Sequence, residues 1–352
     1  MMPKVPLNVW LNDMAQPLSC NPQETLLEVL ERLGYRMRRS CRNGVCEICE
    51  FTLLKGQVSQ SYPAQELCVE PLDPQSRICG LACTAVPVTD IWVNIDGLKR
   101  PGEVILKRLV CDVERVEKLS GDVYRVTLLA PPTASQAVEF HAGQYLEIVL
   151  PDERKAAFSI GSAPEAGREI ELHIRQVAGS DVASAIIEQI KTSAQITVEM
   201  PKGDCFLQAA TLAPEQTVIL AAASTGFSQI KSMVEHLIAA NVTNPIHIYW
   251  GARIAADLYW PELPLEWASK HDNIVYHPVV SEPGDSCGWT GRIDLLPDAI
   301  KTDFDSFEDT VVYASGSPAM VYALVDNLAE KGLQETQVYS DVFAYAPRPA
   351  KS

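Results

Sequence analysis

The stretch Cys41-Arg42-Asn43-Gly44-Val45-Cys46-Glu47-Ile48-Cys49 places three thiols at C-x4-C-x2-C spacing. A chain can wrap a 2Fe-2S cluster with this spacing, taking a fourth thiolate from further along. The loop has to aim backbone N–H groups inward at sulfides, and Asn43-Gly44 is a pair that tolerates positive φ. Two other chemistries compete. Cys46-x2-Cys49 with Cys79-x3-Cys83 has the form of a structural zinc site, and Cys46-x2-Cys49 alone has the form of a redox dithiol. Zinc needs neither Cys41 at its spacing nor the glycine, so the cluster is the reading that uses the whole loop.

Several elements must position such a loop, and the chain has room for them. At 352 residues, 47% hydrophobic and 21% charged, it can form two or three domains with separate cores. Met1-Met2-Pro3-Lys4 leads into an alternating stretch, not the apolar core of a leader, and no run approaches a membrane span. A soluble, cytoplasmic protein is expected. In that setting ten cysteines argue for metal ligands and buried thiols, not disulfides. Cys20, Cys68, Cys111, Cys205 and Cys287 are scattered and read as structural. The net charge of −16 disfavours nucleic acid and anionic membranes as partners.

Residues 5–12 alternate as a first strand. Asn21-Pro22-Gln23-Glu24 then reads as an N-cap, a first-turn proline and a capping-box glutamate, before Leu26, Leu27, Val29, Leu30 and Leu33 at helical spacing and Gly34 as a stop. After the thiols, residues 51–59 read as a hairpin strand with Gly56 near its tip, and residues 91–95 as a closing strand. Residues 98–107, with Lys99-Arg100 and Pro101-Gly102, read as a linker. Short strands follow at 110–119, 123–129, 145–150, 158–162, 170–175 and 196–200, with one helix near 182–190, which suggests a small antiparallel barrel. From Thr217 the pattern becomes apolar strand, helix, apolar strand, which is the signature of a parallel sheet with helical crossovers.

The first third resembles a β-grasp ferredoxin domain. The segment Cys83-Thr84-Ala85-Val86-Pro87-Val88-Thr89-Asp90 is similar to the one that ends the cluster site in plant-type ferredoxins, so the resemblance makes Cys83 the fourth ligand beside Cys41, Cys46 and Cys49. Cys79 lacks that continuation. The rest of the chain carries, in order, Gly143-Gln144-Tyr145, Phe158-Ser159-Ile160, Leu172-His173-Ile174-Arg175, Pro201-x-Gly203-x-x-Phe206, Thr225-Gly226-Phe227, Tyr249-Trp250-Gly251-Ala252-Arg253, Gly316-Ser317-Pro318-Ala319-Met320 and Ser340-Asp341-Val342-Phe343. This series resembles the ferredoxin-NADP reductase superfamily, in the arrangement used by reductase components of oxygenases such as phenol hydroxylase. The last two domains are similar to CDP-6-deoxy-glucoseen reductase and to NAD(P)H-flavin reductases. The resemblance implies a multidomain α+β and α/β chain. It would have a 2Fe-2S domain at 1–97, a linker at 98–107, a six-stranded antiparallel FAD-binding barrel at 108–208 and a Rossmann-like NAD(P)-binding domain at 209–352.

In the family the flavin motif is Arg-x-Tyr-Ser. Phe158 and Ser159 fit it, but Ala156 stands at the arginine position, and Arg154, on the same strand face, is the expected replacement. His173 and Ile174 fall on the flavin-proximal strand. The second flavin contact, Gly-x-x-Ser at a helix start, reads Asp181-Val182-Ala183-Ser184, which keeps Ser184. The Gly-Gly-Thr-Gly nucleotide turn reads Ala223-Ser224-Thr225-Gly226. Arg253 is expected near the adenosine end, Gly316 and Met320 beside the nicotinamide, and Phe343 as the terminal aromatic near the flavin.

The expected path runs from NADH or NADPH as a hydride to FAD at Ser159 and Phe343, then as single electrons to the cluster and on to a protein acceptor. That acceptor would be of oxygenase or CDP-deoxysugar dehydratase type, and the acidic surface would suit a basic patch on it. The altered motifs also fit FMN, a diffusible flavin released by a flavin reductase, or an electron carrier whose nucleotide sites have decayed.

Overall fold

The computed structural model describes residues 6–12, 14–37, 41–45, 47–69, 77–101, 106–132, 138–176, 181–284 and 288–348, with only the backbone of Asp181. Cys46 and Cys287 lie outside the described residues. The chain divides into two compact units, Met1–Ile105 and Leu106–Ser352.

The first unit contains β1 (Leu7–Leu11), β2 (Leu18–Cys20), α1 (Leu26–Arg32), β3 (Glu50–Ser61), β4 (Ala64–Val69), β5 (Ile78–Leu81), β6 (Ala85–Pro87) and β7 (Ile91–Asn94). The sheet runs β2-β1-β7-β3-β4, with β5 and β6 also paired to β3. β1 lies parallel to β7, and the other pairs are antiparallel. α1 buries Leu26, Leu27, Val29 and Leu30 among Val9, Leu11, Phe51, Leu53, Ile91 and Val93. Its N-cap is Thr25, not Asn21. Thr25 and Glu28 close the capping box, and the glutamate expected as its partner, Glu24, instead bonds Arg32 and the Asn21 amide. Asn21 to Glu24 is a preceding turn in which Gln23 has φ 70°. Gly56 is likewise not at a tip. It lies inside the twelve-residue β3 at φ 98°, beside a register shift, and the turn comes at Tyr62-Pro63.

The second unit opens with β8 (Lys107–Lys118), β9 (Val123–Leu129), β10 (Tyr145–Val149), β11 (Lys155–Ser159), β12 (Glu169–Arg175), α2 (Asp181–Thr192) and β13 (Gln195–Lys202). These six strands order as β11-β10-β13-β8-β9-β12, all neighbours antiparallel, and the Ile160–Leu172 bridge joins the two ends into a nearly closed barrel. Ile186, Ile187 and Ile190 of α2 pack into its core.

After the barrel come β14 (Thr217–Ala223), α3 (Phe227–Ala239), β15 (Ile246–Ala252), α4 (Glu262–Lys270), β16 (Ile274–Val280), β17 (Arg292–Ile293), α5 (Leu296–Asp303), β18 (Thr310–Ser315), α6 (Pro318–Ala329), β19 (Val338–Tyr339) and α7 (Val342–Tyr345). The all-parallel sheet runs β17-β16-β15-β14-β18-β19. Val218 to Ala222 are apolar because both faces of β14 are covered, by α3 and α4 on one side and α5 and α6 on the other. From β14 the chain builds outward on one side and returns to β18 on the other. The switch point, where ligands settle in such sheets, is therefore at the C-terminal ends of β14 and β18.

Candidate functional site

In the first unit the thiol loop lies between α1 and β3. Arg42, Gly44 and Glu47 take positive φ (60°, 87° and 57°), which turns the backbone around the loop's interior. A side chain at Gly44 would meet the Tyr62 carbonyl at 2.7 Å. Thr84 Oγ1 donates to that same carbonyl at 2.8 Å, and Arg42 pairs with both carboxylate oxygens of Glu31 on α1. Cys49 is buried, and Cys41 and Cys83 are half-buried. Burial, a hydrogen bond with Cys49, and the charges of Cys49 and Cys41 together push the Cys83 thiol up to about 11, against a lowering hydrogen bond from the Gly44 N–H. Thiols that oppose one another's ionisation at such close quarters suit a cationic centre that relieves the repulsion. Cys79 lies elsewhere, exposed on β5 beside Glu50 and Thr52.

Two cavities occupy the switch point of the second unit. The first, of about 500 Å³, is lined by Tyr145, Ala157, Phe158 and Ser159 of the barrel, Gly203, Gln229, Ser315 and Gly316, and Asp341, Val342, Ala344 and Tyr345. Burial pushes the Asp341 carboxyl up to about 6, although the Gln229 amide donates to it at 2.9 Å. The second cavity, of about 370 Å³, is lined by Ala223, Ser224, Gly251 to Arg253, Ser281, Asp294 to Pro297, Ala319, Met320 and Ala323. Gly316 of the first cavity packs against Ala223 and Met320 of the second, and a Cβ on it would collide with Met320 and crowd Ala223.

Between β14 and α3, Ser224 adopts φ 55°, a left-handed residue where the family carries glycine, and its carbonyl accepts the Trp250 indole N–H at 3.0 Å. Gly226 has no room for a side chain against the Ser315 carbonyl. Thr225 is half-buried between them. Arg253 is 72% exposed and meets Glu282 only at 4.0 Å, so it stands at the rim.

The structure thus brings Phe158, Ser159 and Gly316 to the first cavity, and Ser224, Arg253 and Met320 to the second. Seven expected flavin and nucleotide residues line neither: Thr225 and Gly226, within the turn just described, and five others. Arg154 lies in the β10–β11 turn, its Nε 2.7 Å from Asp152. Ser184 is exposed in the first turn of α2. Ile174 is fully buried in the barrel core. His173 is held between Tyr259 Oη (2.8 Å) and Glu171 Oε1 (2.9 Å), and burial lowers its pKa. Phe343 packs on Tyr322, and Tyr345, two residues on, lines the cavity instead. Two cavity residues had no assigned part in the sequence reading. Asp341 is visible in the sequence only as a member of a matched tetrapeptide, and nothing in the sequence singles out Gln229.

The chain matches the family model of the 2Fe-2S iron-sulfur cluster binding domain over residues 11–88, that of the oxidoreductase FAD-binding domain over 110–206 and that of the oxidoreductase NAD-binding domain over 220–326. It is 33% identical to protein RfbI of Salmonella typhimurium over 91% of each chain. It is 30% identical to the CDP-6-deoxy-L-threo-D-glycero-4-hexulose-3-dehydrase reductase of Yersinia pestis, over 96% of this chain and 98% of that one. Among solved structures, Amycolatopsis cytochrome P450 reductase GcoB superposes with a TM-score of 0.63 at 25% identity, over 95% of this chain and 98% of the other. The chain belongs to the ferredoxin-NADP reductase superfamily, in the group that carries a 2Fe-2S domain together with flavin and nucleotide domains. It is an oxidoreductase in which electrons from NAD(P)H pass through FAD to a 2Fe-2S cluster and on to a partner. Among the described residues no helix is long and apolar enough to cross a membrane.

Proposed function

We propose that Cys41, Cys46, Cys49 and Cys83 hold the cluster in a domain of residues 1–97, that the barrel of residues 108–208 holds FAD beside Phe158 and Ser159, and that residues 209–352 hold NADH or NADPH. The observation that carries this reading is that Gly316, in the cavity lined by the flavin strand, packs directly on Ala223 and Met320 of the cavity lined by the nucleotide turn. FAD, when bound, supplies the conversion between a donor of two electrons and a cluster that takes one at a time.

The residues have separate tasks. Ser224 to Gly226 present backbone N–H groups at the start of α3, where the helix dipole favours a diphosphate. Phe158 and the exposed ring of Tyr345 give the first cavity apolar walls on which a flavin ring can pack. Asp341 holds a proton on its carboxyl below about pH 6 and releases it above. Arg154 is tied to Asp152 by an exposed ion pair, weak enough to be exchanged for a pyrophosphate with Ser184 of α2. Arg253, at the rim, is placed to meet the adenosine end of the nucleotide.

The acceptor is a protein, an oxygenase or a CDP-sugar dehydratase component of the kind that the relatives serve. Release of reduced flavin is a second reading, favoured by Ala156 in place of the arginine and by the commitment of Arg154 to Asp152. Cytochrome c reduction by NADH and by NADPH separates the two. A rate unchanged by added FAD supports electron transfer to a protein, and a rate that depends on added FAD supports release.

A further inference from the structure

Helix α3 begins directly after the nucleotide turn, and beside the buried apolar Phe227, Ile230 and Met233 its first two turns bury four polar side chains where a buried helix is ordinarily apolar. Ser228, Gln229, Lys231 and Ser232 are 2%, 2%, 4% and 0% exposed. Each aims its side chain at a main-chain carbonyl of the barrel. Ser228 Oγ donates to Ser159 O at 3.0 Å, Gln229 Nε2 to Gly143 O at 2.6 Å, Lys231 Nζ to Gly161 O at 3.2 Å and Ser232 Oγ to Ser162 O at 2.7 Å. Three of these acceptors lie at or just after the end of β11, the strand that carries Phe158 and Ser159. Lys231 completes its set of partners with Glu171 Oε1 at 3.1 Å and Glu235 Oε1 at 2.8 Å. Gly161 leaves the room for this approach, since a Cβ there would stand 2.8 Å from Ser228 Oγ.

Apolar packing would bury the same area, but it would tolerate sliding. Hydrogen bonds to fixed carbonyls do not, because a shift leaves buried donors and a buried cation unpaired. Resting on the reading of the first cavity as the flavin site, we infer that this polar face of α3 locks the flavin strand against the nucleotide turn, with Lys231 as a positioning residue for hydride transfer. Lys231 touches neither cavity and acts through the carbonyl of Gly161 and the carboxylates beside it.

The test uses the full-length protein with Lys231→Met, Ser228→Ala and Ser232→Ala, the two alanine variants covering a failure of the first to fold. With saturating NADH or NADPH, whichever reduces the wild type, flavin reduction in single turnover is expected to slow about tenfold or more in Lys231→Met, as misplacement of reacting groups does. Nucleotide affinity and bound flavin should stay near wild type. In flavin-free protein, amide exchange over residues 158–163 should rise while β14 and β15 stay protected. Wild-type reduction rates and unchanged exchange at 158–163 in the variants would overturn the inference while leaving the cavity reading intact. So would reduction that slows only in proportion to lost flavin. A wild type whose bound flavin neither nucleotide reduces would overturn both.

Discussion

At the scale of residues, the thiols show how far spacing alone reaches. C-x4-C-x2-C proposes three ligands but does not choose between Cys79 and Cys83; the resemblance of the segment after Cys83 favours it, and the fold sets Cys83 beside Cys49 and Cys79 beside Glu50. Cys83→Ser is accordingly expected to abolish the cluster's visible absorbance and Cys79→Ser to keep it, and the reverse pattern would reject the assignment. Asp341 makes a second prediction. Its buried carboxyl, at about 6, is raised above the unfolded value, so the folded chain binds more protons than the unfolded chain between about pH 4 and 6. Its ionisation therefore costs stability as pH rises through that window, on the order of 3 kcal/mol when complete. The unfolding free energy of Asp341→Asn should gain on that of the wild type by this order between pH 4 and pH 7, as read from denaturant melts. Parallel pH curves would contradict it. Other residues were not legible from sequence. The four-residue helix α7 turns Phe343 toward Tyr322 and Tyr345 toward the cavity, and a matched tetrapeptide cannot show that rotation. Arg154 shares a strand face with Ala156 only if the strand extends to it, and β11 begins one residue later.

At the scale of elements, the apolar runs of the parallel sheet were legible because burial on both faces leaves little freedom of composition. The short strands β2, β5 and β6 were not, since three or four residues carry too little periodicity. Gly56 is the instructive error. A glycine in an alternating stretch signals either a turn or an interior bulge, and only tertiary pairing decides between them. Here the long strand β3 pairs with β4, β5, β6 and β7, and Gly56 at φ 98° lets it pass the Asp90 carbonyl, against which a Cβ would collide. Gly56→Ala should cost the first unit about 2 kcal/mol or more. The loss should appear as an earlier thermal bleaching of the cluster, with flavin release at its wild-type temperature. A melt in which the cluster is unaffected would show that the strand absorbs the substitution.

At the scale of the whole molecule, three successive hydrophobic patterns announced three sets of elements, of which the barrel and the parallel sheet fall within one compact unit, and the order of motifs announced their chemistry. The sequence did not announce the seam inside the second unit. Nothing in the spacing of Ser228, Lys231 and Ser232 marks it, because periodicity cannot tell a solvated polar face from one that meets carbonyls of another element. Electrons cross from nicotinamide through flavin to the cluster within this one chain. An anaerobic visible titration of the purified protein with NADH, and separately with NADPH, checks this most directly. Flavin and cluster bands that both bleach with one of the two nucleotides and no added flavin are expected. Flavin bands that bleach while the cluster bands stay oxidised would contradict it.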